Sequence, residues 1–456
     1  MTPVLDIDYL VVGAGAAGLA FVDSLADHAD ATVAIVDTRE SPGGHWRDAY
    51  PFVRLHQAST FYGVASTVLG GALQTSGPEA GLQERATGAE IRAYYEAVLE
   101  HLLGTGRVTF LGGARHVGEG RIVPVGGGEE VRVRPGCRIV DAHYLSPVIP
   151  ALTPPPFVVA EDARVLPVGR IDEALDAPRQ VVVGSGKTAT DAIVHLLERG
   201  IDPDRITWIR PRDPWMLDRA VIQPDPAVFQ GMVAATWEAA AAARTLDDLF
   251  TRLEAAGVMM RVDPAVTPTM AKCPTLGRWE LALLRSVEHV VRLGHVRSVE
   301  PRRIVLAEGD VAVPAGTAVI HCAADGLPRP PRIPVWAPEA ITLQPIRSGF
   351  PCFGAALVGY VEATRADDGD KNALCPPTQY GDTRADWAEM TVRGARSSAA
   401  FLAEPDIRAW ADTVALNPAR VPAGSASPAL DDARERIARH GPEAMRRLAA
   451  LAGLAA

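Results

Sequence analysis

Residues 8–20 read DYLVVGAGAAGLA and residues 181–192 read VVVGSGKTATDA. Each is an apolar run that meets a glycine-rich turn and continues with helical spacing. In such a turn the first glycine (Gly13, Gly184) permits the tight reversal, and the second (Gly15, Gly186) removes a Cβ from the path of a pyrophosphate. The third small residue, Gly18 or Ala189, lets helix and strand pack closely. Free backbone N–H groups and the positive end of the helix dipole then face the anion. The helices carry their apolar residues on one face: Leu19, Val22 and Leu25 in the first, with Asp23 and Asp27 pointing elsewhere, and Ile193, Leu196 and Leu197 in the second.

The strands that follow end in opposite charges. The first, VAIVD, ends in Asp37, near the expected spacing of roughly 20 residues, where a carboxylate accepts hydrogen bonds from ribose hydroxyls. That favours a free ribose, as in FAD or NAD. The second, ITWIR, ends in Arg210, with Arg212 close by. A guanidinium suits a 2′-phosphate, so this unit reads as NADPH-binding. The GKT of the second turn does not make an NTPase loop, because Val181 stands where that motif needs glycine.

Composition agrees with a soluble, cytoplasmic enzyme. The 456 residues suffice for two or three domains, and the 48% hydrophobic content includes no unbroken membrane-length run. Met1 leads almost directly into the first strand, leaving no room for a cleavable signal. A formal net charge of −10 argues against nucleic acid as a partner, since phosphate backbones need clustered Lys and Arg. The five cysteines are too widely spaced for CxxC metal or redox pairs, and no metal site is expected. Most read as small buried hydrophobes, with Cys375 in LCPPTQY the one whose exposure matters. HExxH and GxSxG are absent.

The chain repeats its organisation. After the first unit come β-rich pieces at 108–111, 121–125 and 131–134, then the exit strand CRIVDAHY and two prolines; after the second come 296–299, 303–307 and 311–313, then AVIHCAADG and two prolines. The fold class is therefore α/β, with two nested Rossmann-like FAD/NAD(P)-binding domains, β-meanders and a helical insertion. Residues 1–160 and 325–456 form a discontinuous FAD-binding domain, and 161–324 an NADPH-binding domain with its insertion at about 213–295. Within the insertion, 228–257 and 276–293 read as helices. The proline-rich TPPPF at 153–157 reads as a linker between lobes. The tail from Pro428 reads as solvated surface helices, and a homo-oligomer is left open.

The run SPGGHWRDAYPFVRLHQAS (41–59) resembles the GGxW segment, with downstream Tyr, Pro and Arg, of class B flavin monooxygenases, the Baeyer-Villiger type included; GSGKTATDA is similar to the NADPH turn of flavin-containing monooxygenases. The likeness covers roughly residues 5–60 and 178–212 well. It implies that Gly13, Gly15, Gly18 and Asp37 contact the adenosine half of FAD, and that Gly43, Gly44 and Trp46 lie beside the flavin. Gly184, Gly186, Lys187, Thr188, Arg210 and Arg212 would hold NADPH. His45 and His56 fall close to the flavin, as candidate acids or bases near neutral pH. The implied activity is NADPH-dependent transfer of one oxygen atom from O2, through a flavin C4a-(hydro)peroxide, to a small organic substrate. An NADPH/FAD reductase or dehydrogenase without oxygenation, and a non-catalytic flavin-binding protein, are the alternatives. The chain departs from the family at two places: 158–172 contain no FxGxxxH, and the exit strands end in Asp141-Ala142-His143 and Cys322-Ala323-Ala324 instead of Ala-Thr-Gly. Both departures bear on the oxygenation step more than on the cofactors.

Overall fold

The computed structural model describes residues 2–454 other than 273, 325 and 327. Two five-stranded sheets, all parallel, share one strand order. The first runs Ala340–Thr342, Arg138–Asp141, Tyr9–Val12, Val33–Val36, Val108–Leu111, and the second runs Arg164–Pro167, Ala318–His321, Gln180–Val183, Ile206–Ile209, Val290–Val291. In each, the strand feeding the glycine turn is central, buried on both faces and rich in Val and Leu, as parallel sheets require. Each sheet also has a small four-stranded companion, Val4–Leu5 with Val131–Val133, Arg121–Pro124 and Ala114–His116, or Val158–Val159 with Val296–Glu300, Arg303–Leu306 and Gly309–Ala312.

The copies match one strand out of step with the sequence reading. Val108–Leu111 is not a meander piece but the edge of the first parallel sheet, pairing with Val33–Val36. Its counterpart is Val290–Val291, which had been expected to continue a helix; that helix stops at Arg285. Two adjacent valines satisfy a short strand as well as a helical stripe, and pairing with Trp208 and Ile209 decides between them. The expected helix at 228–257 is likewise two, Pro226–Ala242 and Leu246–Ala255, the second capped by the Thr245 side chain.

The C-terminal helix Pro428–Leu451 is not solvated on all sides. It lies along Pro226–Ala242, burying Ala444, Leu448 and Ala449, and Arg436 grips Glu238 with two nitrogens at 2.6 and 2.7 Å. Cys375 is fully buried. Burial pushes its thiol well above the ordinary range, which removes it as a reactive group. Asp23, on the first glycine-turn helix, is also buried; its carboxylate accepts from the Ser66 N–H at 3.0 Å and from the Ser66 hydroxyl. Among the described residues, no helix is long and apolar enough to cross a membrane, and no three His, Cys, Asp or Glu converge to hold a metal.

A buried charge network joins residues 55–85 to the second unit and its insertion. Arg219, 1% exposed, donates through Nη1 to Glu79, through Nη2 to Glu280 at 2.7 Å and through Nε to the His56 carbonyl at 3.0 Å. Arg85 adds contacts to Glu79 at 3.2 Å and to Glu280 at 3.6 Å. Burial by itself would raise both glutamates; the surrounding cations reverse this, lowering Glu79 and taking Glu280 down to about 2.

Two variants test this packing. Gly359 sits where Pro351–Thr364 crosses Ala16–His28, and an added Cβ collides with the Phe21 carbonyl oxygen. Gly359→Ala should therefore cost about 1–3 kcal/mol in urea unfolding. Arg219→Met leaves two buried carboxylates sharing Arg85 and should cost about 3–5 kcal/mol; a loss under 1 kcal/mol in the same measurement would mean the network is not coupled to folding.

Candidate dinucleotide sites

The two glycine turns have nearly the same backbone. Gly13 and Gly184 take φ of +114° and +142°, conformations open to glycine, and their N–H groups donate to Val36 and Ile209 at 2.8 and 3.0 Å. Gly15 and Gly186 are extended residues preceding the helices Ala16–His28 and Lys187–Glu198, with ψ of −175° in both. Neither helix start has a side-chain cap or an acid in its first turn, so both keep unpaired N–H groups and an uncompensated positive end. Gly18 packs so closely that a Cβ would strike the Gly13 carbonyl, whereas a Cβ on Gly186 would meet nothing within 4 Å. The Ser185 hydroxyl in the second turn is buried and without a partner. These are the features an incoming phosphate would use: open space over a small residue and donors without acceptors.

At the first strand end Asp37 is buried, accepting from the N–H groups of Ala14 at 2.8 Å and Arg39 at 2.9 Å. Each carboxylate oxygen has a second lone pair, which leaves capacity for a ribose hydroxyl. The GGHW segment is stitched to this turn. Gly43 donates to the Ala14 carbonyl at 2.9 Å, and a Cβ on Gly44 would lie 3.0 Å from the Gly15 Cα. Trp46 packs on the first core, and His45 lies against it with ring centroids 4.8 Å apart. Where the family has glycine in its exit strand this chain has His143, whose ring lies 2.7 Å from the position of a Cβ on Gly13.

At the second strand end Arg210 is 1% exposed. It stacks over Trp208 at 4.3 Å and donates through Nη2 to Asp213 at 2.8 Å, while Nε and Nη1 have no partner. Burial lowers it to about 10, with Asp213 opposing the drop, so it stays charged at neutral pH. Arg212, two residues on, pairs with Asp382 at 2.6 Å, and Lys272 and Arg329 reach the same carboxylate at 3.5 and 3.3 Å. Asp213 also receives Arg292. Neither Arg292 nor Arg329 was legible in advance, since each comes from a segment far from the turn in sequence.

Tyr50 and Asp191 connect the two turns. Tyr50 donates its hydroxyl to Asp191 at 2.6 Å; Asp191, one turn into the second helix, also pairs with Lys187. Two residues later Phe52 stacks on His195 with centroids 4.0 Å apart and planes 13° from parallel. Residues 43–52 thus form a strap, fastened at one end to the first turn and at the other to the helix of the second. Lys187 is buried toward this joint, and Thr188 is half-buried at the same helix start. Asp191 stands within the run GSGKTATDA, but nothing in the sequence signals Tyr50 as its partner.

The two candidate histidines differ from expectation. Burial, reinforced by Arg39, lowers His45 to about 4; burial, reinforced by Lys187, Arg219 and Arg85, lowers His56 to about 3. Both are neutral imidazoles at pH 7 and are not poised to exchange a proton there.

A family model for an NAD(P)-binding Rossmann-like domain matches residues 11–62, the first turn and the strap. The chain is 42% identical over 418 residues to the uncharacterized protein Rv2000 of Mycobacterium tuberculosis, covering 91% of this chain and 78% of the relative; Mb2023 of Mycobacterium bovis matches equally. Among solved structures, polycyclic ketone monooxygenase from Thermothelomyces thermophila superposes with a TM-score of 0.53 at 12% identity, over 97% of this chain and 89% of that one. OTEMO in complex with FAD and NADP superposes with a TM-score of 0.50 at 14% identity, over 80% and 83%. The chain therefore belongs to the family of these mycobacterial proteins, and its fold is that of the class B flavin monooxygenases.

Proposed function

We propose that this protein is an NADPH-dependent FAD monooxygenase that transfers one oxygen atom from O2 to a small organic substrate. The observation that carries the reading is the pair of matching phosphate cradles, with a carboxylate at one strand end and a guanidinium at the other, held together by one strap. Bound FAD would accept hydride from NADPH and activate O2. The residues of the chain then have positioning roles. The N–H groups at the start of Ala16–His28 would hold the FAD pyrophosphate, Asp37 the ribose, and the Gly43–Gly44 backbone would admit the ring beside Trp46. The corresponding groups of Lys187–Glu198, with the Ser185 hydroxyl, would hold the NADPH pyrophosphate. Arg210 and Arg212, at the end of the second strand, suit its 2′-phosphate. The strap fixes the distance between the cradles, which is what ring-to-ring hydride transfer requires.

The reductase reading keeps the same cradles and drops the oxygen step; the absent FxGxxxH favours it. Anaerobic NADPH added to the yellow protein should bleach the flavin. Readmitted air should then give oxygen uptake that rises with substrate. Bleaching with electrons passing only to another acceptor selects the reductase, and a colourless protein that cannot be reconstituted with FAD refutes both.

Two further outcomes are expected. Arg210→Ala should weaken NADPH by about 1–3 kcal/mol and NADH by much less; equal losses in titrations of the two would place the 2′-phosphate elsewhere. His56 has a folded-state value below its unfolded 6.5, so the unfolded chain takes up the proton first. Its contribution is intact above pH 6.5 and is lost as pH falls toward 3. Urea unfolding of the native protein should weaken over that window, and His56→Gln should flatten the dependence.

A further inference from the structure

Within the strap, the chain passes from one core to the other in a few residues. Trp46 packs on the first core, whereas Tyr50 and Phe52 pack on the second. From Trp46 to Tyr50 the chain could span at most roughly 14 Å if fully extended. It is not extended: Gly44–Arg47 forms a turn of 3-10 helix, and the Val53 N–H donates to the Tyr50 carbonyl at 3.0 Å. The first half of the strap is held to its own unit by directional contacts. Asp48 accepts from Arg39 Nε at 3.0 Å, and Arg47 pairs with Glu96 at 3.0 Å.

The second half is held differently. Phe52 stacks on His195, a contact that tolerates sliding in the ring plane. The Tyr50 hydroxyl supplies direction: it donates to Asp191 at 2.6 Å, and the Thr188 side chain stands beside the same oxygen. Both partners lie on Lys187–Glu198, the helix that follows the second glycine turn. Burial and the Asp191 carboxylate push the phenol well above its ordinary range, so it keeps the proton it donates. Lys187 also sends its ammonium to Asp191, one turn along its own helix, and is thereby drawn back from the helix start.

We infer that Tyr50 is a positioning residue for hydride transfer: its hydroxyl fixes the helix of the second cradle against the strap that carries Gly43, Gly44 and Trp46. The inference rests on the proposed activity. The step moves one hydride, with its two electrons, from NADPH to FAD and leaves NADP+ and FADH−. The groups proposed to grip NADPH are backbone N–H groups, the Ser185 hydroxyl, Arg210 and Arg212, and the bond from Tyr50 to Asp191 involves none of them. Its loss therefore leaves affinity intact and degrades alignment. Alignment sets the rate, since a displacement of about 1 Å can cost roughly a hundredfold. Tyr50→Phe isolates this effect, because it keeps the ring packed on Phe52 at 4.7 Å and removes the hydroxyl alone.

The test compares the native protein with Tyr50→Phe, both loaded with FAD. Anaerobic mixing with saturating NADPH should bleach the variant roughly tenfold to a hundredfold more slowly, while the Kd values for NADP+ and FAD stay at the native level. Without turnover, saturating NADP+ should shift the visible flavin absorption of the native protein and shift that of the variant much less. Asp191→Asn, whose amide oxygen still accepts the hydroxyl, should retain most of the native rate, and Asp191→Ala should lose it. An unchanged bleaching rate in Tyr50→Phe, an NADP+ shift of equal size in both proteins, or a loss confined to NADP+ affinity overturns the inference and leaves the proposed activity standing. A flavin-loaded native protein that NADPH does not bleach removes that activity, and the inference with it. Where Tyr50→Phe does not fold, the two Asp191 variants decide: equal rates in both overturn the inference.

Discussion

A guanidinium cannot be taken out of water without carboxylates and carbonyls to receive it, and Arg219 is almost wholly out of water. Its three partners come from two distant stretches of chain: Glu79 and the His56 carbonyl from the segment after the strap, Glu280 from the insertion. Glu280 in turn accepts from the Gly277 N–H at 2.7 Å, and the Thr275 hydroxyl reaches the same His56 carbonyl as Arg219. The polar requirements of one side chain thus fix where 55–85 meets 275–280. An apolar joint of the same area would hold the units together but would tolerate sliding. Directional bonds to a rigid fork do not.

The strap depends on this joint. Residues 43–52 run from the first turn to the second helix, and His56 lies just beyond them with its carbonyl anchored. Fastening at Gly43, at Tyr50 and at His56 leaves the intervening chain little freedom to change the separation of the two turns. The same cations that secure the joint act on the His56 ring. Burial and three positive groups around the half-buried His56 ring make its protonation unfavourable, so two of the cations that secure the joint also hold His56 neutral.

What the sequence revealed follows from locality. Gly13, Gly15 and Gly18 act on one another within a single turn, and a strand-turn-helix can be recognised from adjacent residues. The repeat was legible as two strand-helix-strand units, although its edge strands were not: Val108–Leu111 and Val290–Val291 close sheets of the same order. What was not legible depends on segments meeting in space. The pairing of Val290–Val291 with Ile206–Ile209 is visible only once the sheet exists, which is why a helix was expected there. Arg210 was read as suited to a 2′-phosphate; nothing local announces that it and the distant Arg292 share Asp213. Both histidines were assigned an ordinary titration because the cations that alter it come from Arg39, Arg85, Lys187 and Arg219, spread over the chain.

The charges at the second strand end illustrate how such pairing shapes recognition. Asp213 fills one edge of the Arg210 fork and leaves two donors, so the guanidinium is held in a fixed plane against Trp208 instead of sweeping through solvent. Arg212, Lys272 and Arg329 all reach the carboxylate of Asp382 at the neighbouring position. These cations outweigh the burial of Asp382 and take it down to about 2, so it remains ionised and keeps them gathered. The side-chain entropy of ordering the fork is thus already spent in folding, and the guanidinium stays oriented against Trp208.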